Sequence, residues 1–165
     1  MLVLGGARSG KSRYAQGLAE ASGGRLVFIA TAQAFDDEMT DRIRRHQADR
    51  DGRWTTVEAS VDLAGAIGAA DGEHAVVLVD CLTLWASNLL LGEEDAEERL
   101  AQLLAALERA RGQVLLVANE VGLGIVPDNA LARAFRDLAG TINQRVAAVV
   151  DRVHMTVAGI PIIVK

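Results

Sequence analysis

The chain is poor in three things. Its 165 residues include one cysteine, Cys81, so no internal disulfide framework can form, and the composition fits a reducing compartment. An excess of positive charge is missing too: 17 Lys and Arg stand against 22 Asp and Glu, for a formal net charge of -5. That balance argues against a binder of duplex DNA or RNA and leaves only local basic clusters for phosphate. Long apolar runs are also absent. None approaches the ~20 residues of a membrane span, and Met1-Leu2-Val3-Leu4 runs straight into glycines, too short for a signal-peptide core. The expectation is a cytoplasmic protein. What remains, 50% hydrophobic and 24% charged, is the composition of an ordinary α/β domain. One domain over residues 1–165 is expected, large enough to bury roughly 70% of its unfolded-chain surface.

Four apolar runs read as strands: "MLVLG", "RLVFIA" from Arg25 to Ala30, "AVVLVD" from Ala75 to Asp80, and "QVLLVAN" from Gln113 to Asn119. They are short, rich in Val, Leu and Ile, and largely without alternation, as strands covered on both faces are. Helical patterns lie between them, at Ser12–Ala21, Asp36–Arg50, Val61–Ala70, Leu82–Leu91 and Glu94–Arg111. Alternating strands and helices imply right-handed crossovers and a mostly parallel sheet. After the fourth strand, "NEVGLGIVPDN" reads as a loop, and a long helix then runs to about Val150 with Asp128 as its N-cap. "RVHMTVAGIPIIVK" reads as a terminal hairpin around Gly159-Ile160-Pro161.

The most informative stretch is "GGARSGKS". Gly5, Gly6, Ala7, Arg8, Ser9, Gly10, Lys11 and Ser12 satisfy G-x-x-x-x-G-K-[ST] between a strand and a helix. Glycines there let backbone N–H groups surround phosphate oxygens, and the helix N-terminus adds its dipole. Lys11 can reach the β and γ phosphates, and the Ser12 hydroxyl can join Mg²⁺. Asp80 ends its strand on the ligand side of an open sheet. It is either a second magnesium-organising acid or the N-cap of the helix that follows. No Asn-Lys-x-Asp guanine reader occurs, and Asn119-Glu120-Val121-Gly122 has other chemistry, which disfavours a switch GTPase.

"RIRRHQADRDGRW" raises a second question. On a helix, Arg42, Arg45, His46 and Asp49 fall at i, i+3, i+4 and i+7, one face. The arginines would disfavour protonation of His46, and Asp49 could fix its tautomer, leaving a nucleophile suited to phosphorus. A solvated helix face with a chance histidine has the same spacing. Spacing does not decide between them.

Taken in order, "GGARSGKSRYA", "IATAQAFDDEMTDRIRRHQADRDGRWTTVEA", "VDCLTLWASNLL", "NEVGLGIVPDNALARAFRDLAGTINQRVAAVVDRV" and "VAGIPIIVK" closely resemble the bifunctional adenosylcobinamide kinase/adenosylcobinamide-phosphate guanylyltransferases of cobalamin biosynthesis. The resemblance covers nearly the whole chain. It implies phosphorylation of adenosylcobinamide by ATP or GTP, then transfer of GMP from GTP to adenosylcobinamide phosphate, releasing pyrophosphate. It implies a covalent guanylyl-histidine at His46 and nucleotide contacts at Gly5 to Ser12, Ala30-Thr31-Ala32, Gln47-Ala48-Asp49-Arg50, Glu58 and Asp80. A recombinase-like P-loop fold and a homotrimer are implied as well. Glu58 could then accept from the guanine N1–H and exocyclic amine; without the resemblance it reads as a surface acid at a strand end. Arg42 and Arg45 could stabilise charge on departing pyrophosphate. Arg50, Arg53, Arg133, Arg136 and Arg145 are further candidates for phosphate or a neighbouring subunit, each also readable as solvated charge.

Overall fold

The computed structural model describes residues 1–33 and 51–165. The expected helix at 36–50, and with it Arg42, Arg45, His46, Gln47, Ala48, Asp49 and Arg50, lies outside the described residues. Strands β1 (Leu2–Gly5), β2 (Arg25–Ala30), β3 (Thr55–Glu58), β4 (Ala75–Asp80), β5 (Gln113–Asn119), β6 (Val153–Val157) and β7 (Ile160–Ile163) form one seven-stranded sheet, in the order β3-β2-β4-β5-β1-β6-β7. All neighbours are parallel except β6 and β7.

The strands without alternation are covered on both faces, as their composition demands. Leu2, Val27, Ile29, Val77, Val79, Leu116 and Ala118 face one core, against α2 (Leu63–Ala70), α3 (Leu82–Leu91), α4 (Ala96–Arg109) and α5 (Ala130–Val149). Val3, Leu26, Phe28, Val76, Leu78, Leu115 and Val117 face the other, against α1 (Lys11–Ala21). Each strand therefore contributes alternate residues to two apolar layers.

One strand adds to the four apolar runs, and two expectations need correction. "TTVE" is a strand, β3, although it lacks an apolar run; it is an edge strand whose Thr55, Thr56 and Glu58 are exposed. The last long helix begins at Ala130 and is capped by Asn129, whose side chain accepts from the Ala132 N–H at 2.7 Å. Asp128 instead lies in the loop, its carbonyl accepting from Arg133 at 2.7 Å. The terminal hairpin turns at Ala158 and Gly159, both at positive φ (51° and 82°), and Ile160 and Pro161 already belong to β7. Proline is tolerated there because β7 is an outer strand.

Candidate phosphate and nucleotide site

The strand pairings define where chemistry can happen. Gly5 is level with Asn119 on one side and Thr156 on the other. Ala30 is level with Glu58 and with Asp80. Counting by twos from the buried residues of each strand, all six residues fall on the α1 face. The carboxyl ends of the strands thus bring together two of the rows expected from the sequence: the phosphate loop on β1, and Ala30, Glu58 and Asp80 on β2 to β4. Five strands separate β1 from β3 inclusively, roughly 19 Å at ~4.8 Å per spacing, before any side chain reaches inward.

The loop itself is held open as a cradle. Its backbone turns through Arg8 at φ 55° and Gly10 at φ 91°, the left-handed region in which glycine is unstrained. Ser9 N–H donates to Gly6 O at 3.3 Å, and Ser9 O accepts from the Gly159 N–H at 2.8 Å. The hairpin turn therefore props the loop from below. Gly10 caps α1 without any side-chain hydrogen bond, so the first-turn N–H groups keep the direction that suits an anion. Lys11 is buried, and its Nζ donates to Gly6 O at 3.1 Å. Ser12 follows at the second helical position.

Beneath the cradle, Ser9 Oγ, Asn119 Oδ1 and Thr156 Oγ1 are buried without a hydrogen-bond partner. Buried polar groups are normally satisfied; these three are exceptions at the base of the glycine loop. Gly5 is the residue that makes room. A Cβ there would collide with Ser9 Oγ and stand 2.7 Å from Thr156 O. Gly5→Ala should destabilise the protein by about 1–3 kcal/mol through overpacking and weaken nucleotide binding in parallel. Urea unfolding and nucleotide titration of the purified variant measure the two effects; an unchanged midpoint would show that the loop yields without cost.

Asp80 and Thr31 lie at the next opening in the sheet. Thr31 is fully buried; its hydroxyl donates to Cys81 O and accepts from the Cys81 N–H, both at 2.8 Å. The peptide joining Asp80 to Cys81 is cis. Burial first, and the nearby Asp80 charge second, push the Cys81 thiol up from its ordinary pKa, so it is no thiolate nucleophile. Asp80 and the Ser12 hydroxyl are oxygen donors of the kind Mg²⁺ takes alongside water and phosphate oxygens. Among the described residues no group of three or more His, Cys, Asp or Glu side chains could hold a metal by itself.

The candidate arginines separate. Arg53 pairs with Asp51 at 2.7 Å, both well exposed. Arg133 donates to the carbonyls of Pro127 and Asp128, closing the loop before α5. Arg145 pairs with Glu97, joining α5 to α4. Arg136 lines a cleft of about 770 Å³ on the α5 side of the sheet, together with Leu4, Glu120, Gly122, Gly124 and Asn143. Sequence reading did not single out Thr83, which accepts from the Asn119 N–H at 2.6 Å, or Asn143, which donates to Asn119 O at 3.1 Å. The two fix the end of β5 beside the loop. Only the tertiary fold brings them there.

A parallel sheet with a glycine cradle and buried lysine at the end of β1 defines a P-loop nucleotide-binding protein. Among solved structures, RadB recombinase is similar over 93% of this chain and 72% of its own, with a TM-score of 0.53 and 17% identity. The type III secretion ATPase EscN of enteropathogenic E. coli is similar over 95% of this chain and 42% of its own, with a TM-score of 0.59 and 13% identity. These likenesses concern the fold. The family described as cobinamide kinase / cobinamide phosphate guanyltransferase (CobU) matches residues 1–164, and the chain belongs to it. The bifunctional adenosylcobalamin biosynthesis protein CobP of Pseudomonas aeruginosa is 47% identical, over 99% of this chain and 96% of its own. The corresponding CobU proteins of Escherichia coli and Salmonella typhimurium are each 42% identical, over 100% of this chain and 99% of their own. The chain is a transferase of that family.

Proposed function

We propose that this chain phosphorylates the aminopropanol hydroxyl of adenosylcobinamide with ATP or GTP. It then transfers GMP from GTP to the resulting phosphate, giving adenosylcobinamide-GDP and pyrophosphate. The observation that carries this reading is the placement of Glu58, Ala30 and Asp80 on the same face as the phosphate loop, at the carboxyl ends of neighbouring strands. The glycine cradle, Gly5 through Ser12, receives the phosphates; Lys11 neutralises the β and γ groups. Glu58, exposed at the end of β3, accepts from the guanine N1–H and amine, a pairing adenine cannot offer. Ala30, Thr31 and Ala32, with Gln47, Ala48, Asp49 and Arg50, complete the nucleotide contacts. Ser12 and Asp80 hold Mg²⁺, which when bound offsets charge on the phosphate oxygens. His46 is the nucleophile of the second step.

The reading extends to assembly and place. We assign a homotrimer, supported by the apolar edge of the sheet: Ile160 is 67% exposed, Ile163 74% and Val164 62%. Such an uncovered edge strand is a template for association in a lone chain. Among the described residues no helix is long and apolar enough to cross a membrane, and we place the enzyme in the cytoplasm, as one domain.

The test is a two-stage assay followed by mass spectrometry of the corrinoid. With ATP alone the substrate should gain one phosphate; on addition of GTP it should gain GMP, with one pyrophosphate released per transfer. Phosphorylation without the second gain would reduce the protein to a small-molecule kinase.

A further inference from the structure

The helix α3 contains a polar residue that neither the fold nor the phosphate chemistry calls for. Asn88 is buried, in a helix whose buried residues also include Leu82, Thr83, Trp85, Ala86 and Leu89. Its Nδ2 donates to two main-chain carbonyls, Thr31 O at 2.7 Å and Ser60 O at 2.9 Å. Thr31 follows the end of β2 and Ser60 follows the end of β3, so one amide ties together the exits of two neighbouring strands. One turn earlier on the same face, Trp85 Nε1 donates to Val61 O at 2.8 Å. The Ala59 N–H donates to Ala30 O at 2.9 Å, closing the same corner.

This corner does not touch the phosphate loop. The loop leaves β1, while Asn88 acts on β2 and β3, beyond β5 and β4 in the sheet order. What it does adjoin is Ala30, Thr31 and Glu58. The Thr31 hydroxyl is already fixed by both main-chain groups of Cys81; Asn88 fixes its carbonyl, and through Ser60 the backbone two residues past Glu58. A leucine in place of Asn88 would pack among its apolar neighbours, leaving both carbonyls without that donor. The amide is there for geometry.

We infer that Asn88 is a positioning residue for guanine nucleotide: through the carbonyls of Thr31 and Ser60 it sets the backbone that presents Glu58 to the base, and so sets the preference for GTP. The inference rests on the guanine-reading role proposed for Glu58. A misplacement of about 1 Å in a positioning contact can cost about 100-fold, so selectivity, rather than phosphoryl transfer itself, should respond.

The experiment compares wild type, Asn88→Ser, Asn88→Asp and Glu58→Ala in the kinase step, with kcat and KM for GTP and for ATP, and Tm for each variant. Serine retains one donor, whereas an aspartate carboxylate would face two carbonyl oxygens. Expected is a rise in KM for GTP of about 10- to 100-fold in Asn88→Asp, less in Asn88→Ser, with kcat and KM for ATP within about threefold. A merely structural role would lower both activities together, in step with the folded fraction, and would overturn the inference. So would unchanged GTP-to-ATP selectivity in folded Asn88 variants alongside altered selectivity in Glu58→Ala. If Asn88→Asp shifts selectivity and Glu58→Ala does not, the Glu58 reading fails and the inference that rests on it falls with it; if neither shifts selectivity, both fall.

Discussion

His46→Ala should abolish the label that the wild-type protein retains from GTP labelled at the α phosphate, and should leave corrinoid phosphorylation within about threefold. The expected loss of guanylyl transfer exceeds about 10⁴-fold, because a missing nucleophile removes a whole step rather than one contact. In the step proposed for His46, the neutral imidazole nitrogen would attack the α phosphorus, the bond to pyrophosphate would break, and a phosphoramidate would form. A phosphate oxygen of adenosylcobinamide phosphate then attacks the same phosphorus, the P–N bond breaks, and the imidazole is regenerated. A P–N bond is labile in acid and stable in base, so the retained label should share that behaviour. It should be absent with GTP labelled at the γ phosphate, which leaves with pyrophosphate, and with ATP labelled at the α phosphate. Undiminished labelling in the variant would move the covalent bond to another residue and remove His46 from the mechanism.

Local pattern and long-range contact divide what the sequence could disclose. The phosphate loop was legible because its eight residues are contiguous and its physics is local: glycine torsions, one lysine, a helix start. The central strands were legible because burial on both faces confines polar residues to their ends, Asp80 in one and Gln113 and Asn119 in the other. β3 escaped because an edge strand needs neither face fully apolar; its Thr-Thr-Val-Glu is exposed except at Val57. Asp128 and Asn129 are equally good caps by composition, and only the side-chain bond to Ala132 separates them. The supports of the site were hidden for a different reason. Asn88 meets Thr31 across 57 residues, and Ser9 meets Gly159 across the whole chain. No periodicity in the sequence encodes such a meeting; it arises only from the packing of α3 on the sheet and the pairing of β6 beside β1.

Lys11→Ala should reduce both the kinase step and guanylyl transfer by about 100- to 1,000-fold, the range for removing one preorganised group from developing charge. Both steps use the same phosphate cradle in this reading, so one substitution should affect both, unlike His46→Ala. The unliganded protein should not lose stability. Lys11 is only 8% exposed and donates to Gly6 O; the cost of desolvating its ammonium is set against that bond, so its Tm should change little on replacement. What should shrink is the increase in Tm produced by Mg²⁺ and nucleotide, because ligand stabilisation follows RT ln(1 + [L]/Kd). Lys11→Arg should not restore activity: the guanidinium is a wide planar fork, and the cradle is close enough that Gly10 would carry its Cβ 3.2 Å from Gly159 Cα. Thermal unfolding with and without nucleotide, beside the two activity assays, separates these effects. A variant that loses Tm without ligand, yet keeps its nucleotide-dependent increase, would make Lys11 a structural residue and place the phosphate contacts on the backbone alone.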